Sequence, residues 1–153
     1  MGAVEDRLRA LGHPVPEVAP PVAVYVPSVQ TSTLVDTSGQ LPLVAGVLMG
    51  TGKVGSEVTP EEAARMAAQC ALNAIAAIRA LIGDLDRVVR VVKVVGFVAS
   101  DPGFSGQPGV VNGASELLGA AFGDAGVHAR SAVGVAVLPL DAPVEVEVIV
   151  EIS

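Results

Sequence analysis

The chain has 153 residues, a formal net charge of −7 and a pI near 4.6. A nucleic-acid-binding surface needs an excess of lysine and arginine, so nine basic residues against 16 acidic ones argue against such a partner. With one cysteine and two histidines, the chain offers neither a disulfide framework nor a thiolate or histidine-rich metal site.

The apolar content predicts self-association. Hydrophobic residues make up 51% of the chain and charged residues only 16%, in a length that suits one domain with one core. This is more apolar surface than a lone domain of this size usually hides. No charged-then-apolar leader opens the chain, and every apolar run is broken before membrane-spanning length, so we expect a cytoplasmic protein without a membrane partner.

The first part of the chain predicts short elements. Residues 1–20 are expected to form an N-terminal extension, with a short amphipathic helix over 4–11 and a proline-rich connector, and residues 21–153 a single domain. Strand candidates follow at 22–29 and 33–37, and residues 41–49 form another apolar strand or loop.

The strongest signal is a helix from Pro60 to about Ile82. Thr59 is its expected N-cap, because Pro60 suits the first helical position and Glu62 completes a Thr-x-x-Glu capping box. Cys70 lies in the middle of this helix among alanines, which favours a buried structural thiol over a nucleophile.

The second half predicts a strand, a helix and two closing strands. Residues 88–100 are nearly continuous in valine, as in a strand buried on both faces, and residues 110–122 predict a helix. Residues 129–137 and 144–152 predict strands joined by PLDAP as a hairpin turn. The order of elements predicts an α+β sandwich with two helices on one face of a mixed sheet.

The stretch GTGKVG at residues 50–55 has the glycine spacing of a dinucleotide-binding loop. Such a loop should open directly into a helix, whereas here the expected N-cap comes only at Thr59. A phosphate-binding loop would need Ser or Thr after Lys53, and Val54 stands there. A flexible loop is the favoured interpretation.

Arg130 is the main candidate for a functional residue. Its neighbours on the same strand face are small: Ala132, Gly134 and Ala136. A guanidinium above such a hollow suits a planar bidentate anion, either carboxylate or phosphate. A salt bridge between subunits is the alternative, and at this point both interpretations stay open.

Two further polar residues near the C-terminus are candidates. His128 could act as an acid or base beside Arg130, or lie partly exposed at the entrance of a strand. In the closing strand VEVEVIVEI the valines share one face and the glutamates share the other. Solvent exposure explains Glu151, whereas Glu145 lies nearest the turn and could order a water.

Seven parts of the chain, in order and at compatible spacing, together resemble one known protein family. They are Tyr25, SGQLP, PEEAARMAAQCALNAIAAI, VVKVVGFVASDPGF, VVNGASELL, HARSAVGVAVLP and VEVEVIVEI. Together they resemble the reactive-intermediate deaminase (Rid, also called YjgF) family from about Tyr25 to Ile152. The resemblance implies a chorismate-mutase-like fold and a homotrimer with sheets inside, helices outside and one cleft at each subunit interface.

The resemblance also implies a site and a reaction. In active members, the arginine matching Arg130 binds the substrate carboxylate, and the residues matching Tyr25 and Glu145 line the same cleft. The reaction is hydrolysis of enamine/imine intermediates such as 2-iminobutanoate to 2-oxo acids and ammonia, without a metal or organic cofactor. Further ligand-contacting or cleft-side positions match Gly39, Ala132 and Asn112.

The distance between Arg130 and Glu145, and several departures from the family pattern, bear on whether the implied site and reaction apply to this chain. In a terminal hairpin, Arg130 and Glu145 would lie about 15 Å apart, so a shared site would need two subunits. Residues 1–20 and ASDPGFSGQPG extend beyond the family pattern, and Ala132 stands where a thiol or hydroxyl is common. A non-catalytic small-carboxylate or 2-oxo acid binding protein stays open, as does a ribonuclease, which the acidic charge disfavours.

Overall fold

The computed structural model describes residues 2–21 and 23–153. The helices are α1 (Ala3–Ala10), α2 (Pro60–Ile82) and α3 (Gln107–Phe122). The strands are β1 (Ser28–Thr31), β2 (Leu34–Thr37), β3 (Leu43–Val44), β4 (Val47–Leu48), β5 (Val88–Ala99), β6 (Ala129–Val135) and β7 (Val144–Ile152).

Five strands form one mixed sheet in the order β1-β2-β7-β5-β6. β5 and β6 run parallel, the other neighbouring pairs are antiparallel, and β3 and β4 form a separate small hairpin. The main core lies between the sheet and the helices, where valines of β5 and β7 meet α2 and α3. The predicted α+β arrangement, with two long helices on one face of a mixed sheet, is confirmed.

The two closing strands do not form the predicted hairpin. β5 lies between them, parallel to β6 and antiparallel to β7. The PLDAP segment instead carries the chain past the end of β5, with Leu140 and Asp141 in left-handed backbone conformations. The prediction was wrong because alternating valines indicate a strand but do not indicate its neighbour.

α2 has the predicted bounds and cap. The hydroxyl of Thr59 accepts a hydrogen bond from the backbone N–H of Glu62 at 3.2 Å. The Glu62 carboxylate in turn accepts from the backbone N–H of Thr59 at 2.9 Å. This helix is long and apolar enough to cross a membrane, but 67% of its most apolar stretch is buried inside the domain, as in the core helix of a soluble protein.

Other bounds shift by a few residues. β1 begins only at Ser28, because residues 23–27 bend rather than extend; Val22, where the strand was expected to begin, lies outside the described residues. α3 begins at Gln107 rather than at residue 110, and β6 ends at Val135 rather than at residue 137.

Most of β5 is buried on one face only, the exception being Ala99 at its end, which is buried on the other face. Val91, Val94 and Val98 face the helices and are buried, whereas Lys93 and Phe97 on the other face are half-buried. The expected burial on both faces is therefore wrong for the single chain. A small second cluster of Leu41, Ala99, Leu138 and Ala142 covers one end of this face, and exposed apolar side chains such as Val133 lie on the rest.

α3 packs closely because two positions lack a side chain. A Cβ on Gly113 would lie 1.9 Å from the backbone oxygen of Ala64 in α2. A Cβ on Gly96 of β5 would lie 2.4 Å from the side chain of Val111 in α3. These contacts fix α3 against both layers and so set the position of its polar side chains over β6.

α1 packs on the same core. Val4 and Leu8 are buried. The carboxylate of Asp86 accepts hydrogen bonds from the first backbone N–H groups of α1, at 2.8 Å and 3.0 Å. This contact lowers the pKa of Asp86, because backbone N–H donors stabilise the ionised carboxylate.

Candidate active site

Arg130 lies on β6, at the edge of the sheet, and pairs in register with Val94 of β5. Its side chain is therefore on the face that α3 covers. Nη1 donates to Asn112 Oδ1 at 2.8 Å and to Ser115 Oγ at 3.2 Å, and Nη2 donates to the Pro108 carbonyl at 3.2 Å. All three acceptors belong to α3, so packing of the helix on the strand orients the guanidinium.

The predicted hollow over the small residues of β6 is largely filled. Above Gly134, a Cβ would lie only 2.8 Å from Nε2 of Gln107, and Ala132 packs against the main core. The room lies instead beside the partly exposed Arg130. There, a surface hollow of about 330 Å³ is lined by Ser115, Gly119, Gly126, Val127, His128 and Arg130.

Arg130 retains hydrogen-bonding capacity toward an anion. In the described part of the chain, no carboxylate lies within 4 Å of its guanidinium. A guanidinium has five N–H donors, and the three bonds to α3 use both on Nη1 and one on Nη2. The donors left are on Nε and Nη2, the edge with which arginine binds a carboxylate in a bidentate contact.

Ser115 and His128 join this group. Nδ1 of His128 is 2.6 Å from the Gly126 carbonyl, and Nε2 is 2.9 Å from Ser115 Oγ. Since a carbonyl only accepts, Nδ1 carries the proton, and in the neutral ring Nε2 accepts from the serine hydroxyl. We call Arg130, Asn112, Ser115 and His128 the arginine cluster.

Sequence reasoning missed Ser115, although a signal for it exists. Asn112 and Ser115 are three residues apart, which places both on one face of a helix, and His128 comes two residues before Arg130, just ahead of β6. Neither spacing says that the helix face lies over the strand face. That information comes only from the tertiary structure.

Away from Arg130, Gly39 connects two other candidates, since it lines a cleft with Tyr25 and adjoins Glu145. Tyr25 and Gly39 line a small cleft of about 30 Å³, in which Tyr25 is 43% exposed. A Cβ on Gly39 would lie 1.9 Å from Oε1 of Glu145, so the missing side chain provides the space for this carboxylate. We call these three residues the tyrosine–glutamate cluster.

The environment of Glu145 changes its acidity. Partial burial raises the pKa of its carboxyl above the ordinary value of 4.5, and the negative charge of Glu147 raises it further. A carboxylate whose pKa is raised toward neutrality is a stronger general base. Glu145 is therefore suited to take a proton from water.

The two clusters do not meet within one chain. Arg130 is level with Val94 of β5 and, through it, with Val148 of β7, three residues beyond Glu145. Two strand spacings and three residues along the strand separate their Cα atoms by about 14 Å. Glu145 also alternates with the buried valines of β7, so its side chain points to the opposite face of the sheet.

Other candidates have structural explanations. Cys70 is completely buried, its Sγ lies 3.8 Å from the Val144 carbonyl, and burial raises the pKa of its thiol well above the ordinary range. The GTGKVG stretch is a loop that does not open into a helix, and Lys53 within it pairs with Asp141. Among the described residues, no group of three or more His, Cys, Asp or Glu could hold a metal ion.

The fold and the two clusters define a small α+β protein of the chorismate-mutase-like type. Residues 5–152 match the family model described as "YjgF/chorismate_mutase-like, putative endoribonuclease", and the chain belongs to this family. The resemblance on sequence motifs is thereby confirmed.

Full-length relatives agree with this assignment. Protein TCP17 of Trypanosoma cruzi is 44% identical over 155 residues, covering 99% of this chain and 96% of TCP17. The structure of Atu1372 from Agrobacterium tumefaciens, a protein with unknown function, is 46% identical with a TM-score of 0.91, covering 98% and 93% of the two chains. A structure described as a "putative endoribonuclease" from Shewanella oneidensis is 32% identical with a TM-score of 0.95, covering 99% and 100%.

Proposed function

We propose that this protein is an enamine/imine deaminase that hydrolyses small 2-imino acids, such as 2-iminobutanoate, to 2-oxo acids and ammonia. The observation that carries the proposal is the state of Arg130. Its guanidinium is oriented by α3 and keeps two N–H donors, and no carboxylate among the described residues pairs with it. Such a group is ready to bind a substrate carboxylate.

A complete site in this proposal needs two protomers. Arg130 and Glu145 point to opposite faces of one sheet, so the arginine cluster of one chain would face the tyrosine–glutamate cluster of the next. Two features support this assembly: β6 is an edge strand, and the face of the sheet away from the helices carries exposed apolar side chains such as Val133. A homotrimer with three equivalent clefts satisfies both.

The chemistry follows from the two clusters. Arg130 binds the carboxylate and so orients the protonated imine, which is electrophilic without a metal. Glu145 takes a proton from water as the water oxygen bonds to the imine carbon. Glu145 gives this proton to the nitrogen of the resulting amino alcohol, and the C–N bond breaks with its electron pair leaving on ammonia. The hydroxyl then passes its proton back to Glu145, which releases it to solvent or ammonia and leaves the 2-oxo acid. Tyr25 and Gly39 line the cleft beside the base.

A second candidate function shares the same arginine. Members of the family commonly have a hydroxyl or a thiol at the position of Ala132, and this chain has neither. That departure favours a protein that binds a 2-oxo acid without turnover. The family description also names an endoribonuclease. The net charge of −7 makes a ribonuclease the weaker alternative, because RNA binding draws on lysine and arginine contacts to phosphate.

The deciding experiment measures ammonia release from 2-iminobutanoate generated in situ. Wild type should accelerate release, Arg130→Ala should not, and Arg65→Ala, which removes an exposed arginine on α2, should behave as wild type. If wild type gives no acceleration but binds 2-oxobutanoate through Arg130, the protein is a binding protein. Equal activity in wild type and Arg130→Ala would end the proposal.

A further inference from the structure

Ser115 accepts a hydrogen bond from Arg130, and its hydroxyl has a defined direction. A serine hydroxyl has one proton to donate and two lone pairs that accept. Its oxygen is 2.9 Å from Nε2 of His128 and 3.2 Å from Nη1 of Arg130. Since Nη1 can only donate, the hydroxyl proton belongs on the side of His128, and a lone pair faces the guanidinium.

His128 makes this direction the stable one. Its Nδ1 proton goes to the Gly126 carbonyl at 2.6 Å, which leaves Nε2 as the acceptor in the neutral ring. Without that acceptor, only the attraction between the lone pair and the cationic guanidinium would keep the hydroxyl proton turned away from Arg130. The histidine thus fixes a serine that in turn fixes the arginine.

The contact of Ser115 is better protected from water than the contact of Asn112. Asn112 is exposed, whereas Ser115 and His128 are both partly buried. Water competes for exposed hydrogen bonds and weakens their net contribution. The bond to Ser115 is longer than the 2.8 Å bond to Asn112, but water competes with it less. The serine therefore contributes more to the orientation of the guanidinium than its bond length alone suggests.

We propose that Ser115 and His128 are positioning residues, which hold Arg130 so that its Nε and Nη2 donors face a small carboxylate. This inference rests on the proposed function, since it needs Arg130 to bind a carboxylate. Both residues line the hollow beside Arg130, but the role proposed for them runs through the guanidinium and not through a contact with the carboxylate. They restrict the guanidinium to few orientations before the ligand binds. The entropy cost of ordering the side chain in a bidentate contact is therefore smaller.

The test measures the Kd for 2-oxobutanoate by calorimetry in two matched pairs of variants. Ser115→Ala removes the acceptor and should weaken binding about tenfold, whereas Ser115→Thr keeps a hydroxyl and should restore it. His128→Gln keeps an acceptor near the position of Nε2 and should bind like wild type. His128→Asn reaches only the position of Nδ1 and should bind more weakly than wild type.

Kinetics and stability separate positioning from a general structural effect. In the deaminase assay, Ser115→Ala should raise KM more than it lowers kcat, because the lost interaction orients bound substrate and transition state alike. Thermal denaturation identifies any variant that is merely unfolded. Rescue by Ser115→Thr is the readout that a loss of packing alone would not produce.

The outcomes distinguish this inference from the proposed function. Tight binding by Ser115→Ala together with lost binding by Arg130→Ala would overturn the positioning role and leave the carboxylate site intact. Equal weakness of His128→Gln and His128→Asn would overturn the role of Nε2. Binding by wild type that does not depend on Arg130 would overturn the proposed function and this inference with it.

Discussion

Arg130 and Glu145 lie on opposite faces of the same five-stranded sheet, with β5 between the strands that carry them. One chain therefore holds a group suited to bind a carboxylate and a group suited to activate water, but keeps them about 14 Å apart. Reaction at a single carbon atom needs both groups within a few ångströms. The separation makes contact between protomers a requirement of the proposed mechanism.

Gly39 provides a test of the tyrosine–glutamate cluster. In Gly39→Ala, the new Cβ would overlap Oε1 of Glu145, and the end of that side chain must move away. We expect a folded protein whose kcat for imine hydrolysis falls about tenfold or more, because a displaced base is no longer aligned with its water. Gly109→Ala, where the added Cβ meets open space, is the control. Full activity in Gly39→Ala would show that the position of Glu145 is not needed.

Glu145 predicts the pH dependence of the reaction. The base works only when ionised, so the rate should fall as the pH drops through its pKa, which burial and Glu147 raise above 4.5. Glu147→Gln removes a negative neighbour, lowers the pKa of Glu145, and should move the acid limb to lower pH. Glu151→Gln should leave the limb in place. An acid limb that is unchanged in Glu145→Gln would exclude this residue as the base.

We expect the missing side chain of Gly113 to be required for stable packing of α3 on α2. Gly113→Ala would press a methyl group into the backbone of α2, at a contact that cannot yield as a flexible side chain does. The free energy of unfolding should fall by about 1–3 kcal/mol, as for an overpacked core. Gly109→Ala in the same helix has open space and should gain up to about 1 kcal/mol from helix propensity. Urea denaturation compares the two variants directly.

We expect the thiol of Cys70 to be unreactive in the folded protein. Its side chain is completely buried, and burial raises the pKa of the thiol, so little thiolate forms at neutral pH. A thiol reagent should leave the native protein unmodified and label one site after denaturation. Rapid labelling of the folded protein, or loss of activity in Cys70→Ala with its stability retained, would assign the thiol a functional role.

Local signals in the sequence predict the local structure well. The bounds of α2 follow from Thr59, Pro60 and Glu62, because capping and proline preference act over a few residues. The bounds of β7 likewise follow from a valine or isoleucine at every second position, with glutamate at three of the four positions between. Strand patterns also indicate Arg130 and Glu145 as site candidates, and the family resemblance adds Tyr25, Gly39, Ala132 and Asn112.

Long-range pairing is what the sequence does not reveal. β6 and β7 are close in sequence and look like a hairpin, yet β5 lies between them. The arginine cluster likewise joins one face of α3 to the start of β6, and no spacing along the chain indicates that contact. Both features depend on how the elements pack, as at Gly113, where the missing side chain lets α3 approach α2.

Complementation between inactive variants tests the central claim most directly, because it asks whether one site draws residues from two protomers. Arg130→Ala and Glu145→Gln would be refolded separately and as an equal mixture, and ammonia release from 2-iminobutanoate measured. If each cleft takes its arginine from one protomer and its glutamate from the next, random assembly restores about a quarter of the wild-type activity in the mixture. A mixture as inactive as the separate variants, although its subunits exchange, would contradict a site shared between protomers.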